Sequence, residues 1–134
     1  MLFKAEFVTK SGETLSIETE KLNVLASDGR RTILSNHMAI MLPLELGVIE
    51  TQNNGLHHYV VDSGILYFED NSAKILTDDF IDVDAIEIEA VSANLKEAEE
   101  ILNNTTDNLV RLSAGRKYKW YKTVQEAYNK FKRN

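Results

Sequence analysis

The hydrophobic period of this chain changes once, near Asp78, and that change limits the folds open to it. Before it, Phe3, Ala5 and Phe7 alternate with Lys4 and Glu6, the period of two that a half-buried strand requires. Leu15 and Ile17, then Leu22 and Val24, repeat the pattern, and the runs 58–61, 65–68 and 74–76 are rich in β-branched, aromatic or aliphatic residues. Turn signals stand between them: Lys10-Ser11-Gly12, Ser27-Asp28-Gly29, Asn53-Asn54-Gly55, Asp62-Ser63-Gly64 and Asp70-Asn71. Short strands with turns at this spacing predict an antiparallel β-sandwich or flattened barrel. No helix-length pattern interrupts them, which argues against a Rossmann-type fold.

After Asp78 the period becomes helical. Ile88, Val91, Leu95, Ala98 and Leu102 are spaced 3, 4, 3 and 4, an apolar seam along one side of a helix. Residues 103–107, Asn-Asn-Thr-Thr-Asp, supply a turn and a helix N-cap. A second helix follows over about 108–130, with Leu109, Leu112, Trp120, Val124, Ala127 and Phe131 as its seam. Gly115 lies inside it, at a cost of roughly 1 kcal/mol relative to alanine. The chain is therefore read as α+β: an N-terminal β-sandwich domain over 1–84 and a C-terminal helical hairpin over 85–134. So narrow a seam buries little surface, so the hairpin is expected to depend on docking against the sandwich or a partner.

At 134 residues there is room for one core domain and such an appendage. The absence of cysteine excludes a disulfide framework, a thiolate zinc site and thiol catalysis. Charges interrupt the N-terminus before an apolar stretch develops, and no run reaches membrane-spanning length, so a soluble intracellular protein is expected. The net charge of −6 conceals an asymmetry. Residues 1–110 carry 7 Lys and Arg against 20 Asp and Glu, whereas 111–134 carry 8 basic residues against Glu126 alone. A basic helix of this kind suits an acidic partner or forms a solvated face.

Chemistry-bearing patterns are few. His57 and His58 are adjacent on a strand and point to opposite faces, so no metal site is expected with His37. Asp78, Asp79, Asp82, Asp84, Glu87 and Glu89 lack the spacing of a calcium loop and read as a solvated linker entering a helix N-terminus. No nucleophile elbow or phosphate-cradling glycine loop is present, which argues against catalysis and against a cofactor. The stretch 117–122, Lys-Tyr-Lys-Trp-Tyr-Lys, alternates basic and aromatic residues as a nucleic-acid-binding adaptor would. On a helix, however, Trp120 joins Val124, Ala127 and Phe131 as a packing face, and the acidic remainder opposes a polyanion. No nucleic-acid partner is expected.

Five segments in order resemble the epsilon subunit of F-type ATP synthases. Phe3-Lys4-Ala5-Glu6-Phe7-Val8-Thr9 with Gly12 is similar to the family's opening I-V-T-P-x-G hairpin. Residues 29–37, Gly-Arg-Arg-Thr-Ile-Leu-Ser-Asn-His, resemble its G-E-x-G-I-L-P-x-H signature, and Glu45-Leu46-Gly47-Val48 fits the segment that follows. Residues 61–68 fit V-S-G-G-F-L-E-V, and Lys74-Ile75-Leu76-Thr77-Asp78 fits the V-x-I-L-A-D that ends the sandwich. The resemblance implies a non-catalytic subunit of the rotating central stalk, peripheral on the cytoplasmic side of a bacterial membrane. Its implied partners are the gamma subunit, the polar loops of the ion-translocating ring, and the alpha and beta subunits when the hairpin extends to inhibit ATP hydrolysis.

The departures from the family pattern carry implications of their own. The acidic residue that meets basic groups on the ring is replaced by Arg30, followed by Arg31, so docking requires an altered ring or a divergent motor without a standard proton ring. Proline of the signature is Ser35, while His37 is retained. Arg30, Arg31, Asn36, His37 and Met38 are the candidate ring or stalk contacts, and Arg111, Arg116, Lys117, Lys119 and Lys122 the candidate inhibitory residues. The ATP-binding I-D-x-x-R-A motif of some members falls on 86–91, where Glu87 replaces the aspartate and Ala90 the arginine; no nucleotide site is expected.

Overall fold

The computed structural model describes residues 1–132 and divides into two units, Met1–Asp82 and a second that begins at Val83. The first holds ten strands: β1 (Phe3–Thr9), β2 (Thr14–Thr19), β3 (Lys21–Ala26), β4 (Gly29–Leu34), β5 (Ile40–Leu44), β6 (Gly47–Gln52), β7 (Leu56–Val61), β8 (Gly64–Glu69), β9 (Ser72–Thr77) and β10 (Phe80–Asp82). They form one sheet in the order β10-β7-β6-β3-β5-β8-β9-β1-β2, with β4 paired to β3. The sheet turns over on itself at β3, whose start pairs with β6 (Leu22↔Thr51) and whose end pairs with β5 (Ala26↔Leu44). Two layers result, and alternation along each strand sends one set of side chains between them.

That enclosed set is the core. Phe3, Ala5 and Phe7 of β1, Leu66 and Phe68 of β8 and Ala73 and Ile75 of β9 come from one layer. Leu22, Val24, Ile33, Ile49, Tyr59, Val61 and Phe80 come from the other. Phe7 joins the layers, its ring centroid 5.1 Å from Tyr59 and 5.4 Å from Phe80. Phe3 meets Phe68 edge-on at 5.3 Å.

All pairings are antiparallel except β1 with β9, which run parallel with Ala5 beside Ala73 and Phe7 beside Ile75. Pro43 is tolerated within β5 because it needs to donate no ladder bond, while its carbonyl accepts from the Ser27 amide at 3.1 Å. Gly64 has φ +144°, and a Cβ there would lie 2.0 Å from the Leu76 carbonyl oxygen, so this crossing point admits glycine alone. The turn between β8 and β9 uses Asp70 and Asn71, both with φ near +55°, as a two-residue hairpin demands.

The stretch after Asp78 departs from the solvated linker expected there. Phe80 is buried and pairs with Val61, so β10 extends the sheet before a single 3-10 turn over Val83–Ala85. The second unit continues with α1 (Ile88–Asn104) and α2 (Asn108–Phe131). Asp107 caps α2, accepting from the amides of Leu109 (2.9 Å) and Val110 (3.1 Å). The helix runs unbroken through Gly115, which has open space where a Cβ would be.

The seam of α1 is as spaced in the sequence, with Val91 and Ala98 buried. That of α2 differs. Leu109 and Leu112, expected inside, are exposed at 79% and 58%, and Ala114 is buried in their place with Val124 and Ala127. Small residues at Ala98 and Ala114 allow the two helices to approach closely there, so the larger leucines are left outside. Arg133, counted in the basic segment, lies outside the described residues.

Candidate functional site

The five candidate contacts of the sandwich do not form one patch. Arg30 and Arg31 stand at the start of β4, beside the tight turn from β3, whereas Asn36, His37 and Met38 lie beyond its other end. A six-residue strand separates the two groups by roughly 20 Å. Because β4 pairs only with β3, both arginines sit on an outer edge of the sheet. Arg30 bends back over the sheet: its Nη1 donates to the Val48 carbonyl oxygen at 2.6 Å and to Asn23 Oδ1 at 3.4 Å. Arg31 lies 3.7 Å from Asp28, a pair largely open to solvent. Two positive charges thus stand at this hairpin, one held in place by backbone and amide oxygens.

At the opposite end, the Asn36 backbone has φ +65° and donates its amide to Asn71 Oδ1 at 2.7 Å; Ser35 Oγ donates to the same oxygen at 3.3 Å. Asn71 therefore locks the loop after β4 onto the β8–β9 turn. His37 donates Nδ1–H to the Met38 carbonyl oxygen at 2.7 Å and sets its ring edge-on to Phe68 at 5.9 Å. Met38 is 76% exposed. A serine in place of the signature proline still closes this loop, through the asparagine.

Next to it lies a surface that motif reasoning missed. The outer face of β5, β8, β9 and β1 carries Pro43, Ile65, Leu76 and Val8 in one cross-strand row, by the registers Pro43↔Ile65, Ile65↔Leu76 and Val8↔Leu76. Met41, Tyr67, Lys74 and Glu6 form the row beside it, where Lys74 and Glu6 approach to 3.9 Å. Met41, Ile65, Tyr67 and Leu76 are all exposed. Two shallow grooves, of about 370 Å³ over Ile65 and Leu76 and about 750 Å³ over Met41 and Tyr67, follow these rows. The signal was present in the sequence as apolar residues at the outward positions of β5, β8 and β9. Exposed apolar sheet faces are characteristic of docking surfaces rather than of reaction centres.

On the other layer, Glu50 is clamped by Lys21 Nζ (3.2 Å) and His58 Nε2 (2.9 Å). The His58 hydrogen bond, followed by the Lys21 hydrogen bond and charge, holds the Glu50 carboxyl below its ordinary value against the opposing effect of burial. His57, on the other face of β7, is exposed and reaches the Asn53 carbonyl oxygen at 3.4 Å. The chain's histidines therefore serve three separate local contacts.

In the second unit Arg111, Arg116, Lys117, Lys119 and Lys122 are all exposed along the first two thirds of α2. Arg111 donates to the Leu102 carbonyl oxygen at 3.4 Å, closing the end of α1, and the Lys122 ammonium lies 5.6 Å over the Tyr118 ring. Among the described residues no ion pair joins these cations to the carboxylates of α1. Glu87 is the residue before α1 and makes no side-chain cap bond, and Ala90 is exposed in its first turn.

Residues 2–83 match the family model described as the ATP synthase delta/epsilon chain, beta-sandwich domain. The ATP synthase epsilon chain of Ureaplasma parvum is 27% identical over 130 residues, covering 95% of this chain and 96% of its own. That of Pelagibacter ubique is 31% identical over 105 residues, covering 77% and 81%. In solved structures, a chain of the Euglena gracilis mitochondrial ATP synthase (OSCP/F1/c-ring) superposes with a TM-score of 0.73 at 17% identity, over 92% of this chain and 79% of that one. A chain of the Tetrahymena thermophila mitochondrial ATP synthase central stalk and c-ring gives 0.59 at 14%, over 93% and 95%. These two share the fold. With its sandwich matched almost from end to end and epsilon-chain relatives that extend through the hairpin, the chain belongs to the ATP synthase delta/epsilon chain family, as an epsilon chain.

Proposed function

We propose that this chain acts in an F-type rotary ATPase as a non-catalytic subunit that fastens to gamma through its sandwich and restrains ATP hydrolysis through its hairpin. The observation that carries the docking half is the exposed apolar row Pro43, Ile65, Leu76 and Val8, continuous with Met41 and Tyr67. A monomer in water gains nothing from such a face, whereas a stalk partner that covers it gains about 25 cal/mol per Å² of apolar surface removed from solvent. Met38 leads into β5 beside that face and extends the gamma-facing region, while His37 packs edge-on against the inward-facing Phe68 at the same end of the sandwich.

Arg30 and Arg31 stand apart from it and are assigned to the ring loops, which on this reading present acidic groups. A divergent motor whose stalk meets no standard proton ring is the alternative that the same two charges support. The exposed cations Arg111, Arg116, Lys117, Lys119 and Lys122, which form no ion pair among the described residues, are assigned to acidic surfaces of the alpha and beta subunits. Among the described residues no helix is long and apolar enough to cross a membrane, which suits attachment through the complex on the cytoplasmic side. No observation favours nucleic-acid binding: Trp120 and Tyr121 are half-buried in the hairpin, and Tyr118 lies beneath Lys122.

The test is a steady-state ATPase assay on the alpha-beta-gamma assembly from the same source, with no addition, with the full chain, and with the chain truncated after Asp84. Co-elution of both forms with inhibition by the full chain alone is the expected result. Co-elution without inhibition would remove the regulatory half, and failure of both forms to bind would remove the docking half.

A further inference from the structure

The loop end of the hairpin carries an apolar groove whose chemistry is complementary to itself. It measures about 390 Å³ and lies between α1 and α2, with Ala98 and Ile101 on one wall and Val110, Ala114 and Leu109 on the other. Ala98 and Ala114 are buried and small, so the floor is a hollow rather than a ridge. Leu109 stands at its lip, 79% exposed, and Val110 is 44% exposed. The rim is charged with opposite sign on its two sides: Glu97 on α1, Lys117 on α2. Within one chain these two do not pair, although both border the same groove.

A hollow floored by alanines, a protruding leucine beside it, and unpaired opposite charges on facing rims are the two halves of an isologous contact. Related by a two-fold axis, the Leu109 of each copy fills the Ala98–Ala114 hollow of the other, and each Glu97 meets the other copy's Lys117. The wider charge distribution agrees. Exposed carboxylates of α1 (Glu89, Glu97, Glu99, Glu100) outnumber its Lys96, and α2 is basic, so an arrangement that sets the α1 of one copy beside the α2 of the other brings opposite signs together. An unrelated acidic or basic helix would satisfy one rim and oppose the other. We infer that the free chain associates with a second copy of itself through the groove between α1 and α2, Leu109 being the anchor and Glu97–Lys117 the cross-pair.

The contact is small, at the low end of specific interfaces, and a dissociation constant on the order of 10 μM is expected. It engages the start of α2, so a paired hairpin is not free to make other contacts through Leu109, Val110 and Lys117. The inference rests on the groove alone and stands whether or not the hairpin regulates hydrolysis.

Sedimentation equilibrium of the full chain from a few micromolar to several hundred micromolar tests it. A monomer–dimer equilibrium is expected for the native sequence, with Leu109→Asp weakening it by roughly 30-fold or more, as loss of an interface anchor does. Leu109 is exposed, so its circular dichroism spectrum and melting are expected to match the native chain's. Glu97→Lys and Lys117→Glu are each expected to weaken dimerisation, and the double exchange to restore it. A native chain monomeric throughout, a dimer indifferent to Leu109→Asp, or a double exchange no better than the single ones would each overturn the inference.

Discussion

Glu50 makes two charge-assisted contacts with only a quarter of its side chain exposed, so its ionisation is linked to folding. Because the folded-state pKa is depressed, the contribution is present above the ordinary carboxylate value of 4.5 and disappears as pH falls through the lower folded value. Glu50→Gln is therefore expected to lower the melting temperature at neutral pH, by an amount corresponding to about 1–2 kcal/mol, and to make little difference in strong acid. Parallel melts of the two proteins across that range check it. Gly64 is a second sensitive position. Gly64→Ala places a methyl against the Leu76 carbonyl and forces the β8 and β9 backbones apart, so a loss of about 2 kcal/mol or more in urea unfolding is expected. Asn71 carries both bonds that hold the loop after β4, and Asn71→Gly, which removes them while keeping the left-handed backbone of the turn, is expected to raise amide exchange at Asn36 with little change in global stability.

Strands and helices differ in how openly the sequence announced them. β1, β8 and β9 alternate cleanly because each has a core face and an outward face, and α1 shows its seam because Val91, Leu95, Ala98 and Leu102 face one way. β4 was hidden because it is an edge strand, where Arg30, Arg31 and Thr32 are all exposed and only Ile33 enters the core. β5 and β6 were hidden inside an apolar run containing Pro43, and β10 because three residues show no period. The α2 seam misled for a different reason: leucine outranks alanine as a core signal, yet close approach of two helices selects Ala114. Ala114→Leu is accordingly expected to force the helices apart, at a cost of about 1–3 kcal/mol, measurable by thermal melting. Asp107→Ala should cost about 1 kcal/mol and fray the start of α2, readable as faster exchange of the Leu109 and Val110 amides. As for the candidate contacts, residues 30–38 look contiguous in the sequence, but β4 carries Arg30 and Met38 to opposite ends of the layer. The apolar outer rows were beyond motif reading, since they exist only once β5, β8, β9 and β1 lie in register.

The two units are built on separate principles, a closed core of aromatic and aliphatic side chains in one and a narrow alanine-lined seam in the other. Their stabilities are expected to differ accordingly, with helical amides exchanging ahead of those in β1, β8 and β9. The first unit also has a consequence for how the chain is made. Its first strand takes as a parallel neighbour not the next strand but the ninth, so that Phe7 finds Ile75 only across nearly seventy intervening residues. Until the segment to Thr77 has left the ribosome, β1 can form its hairpin with β2 but presents its other edge unpaired. Synthesis rate and early chaperone cover, rather than the strength of any local turn, then govern how much of the newborn chain reaches the closed sandwich.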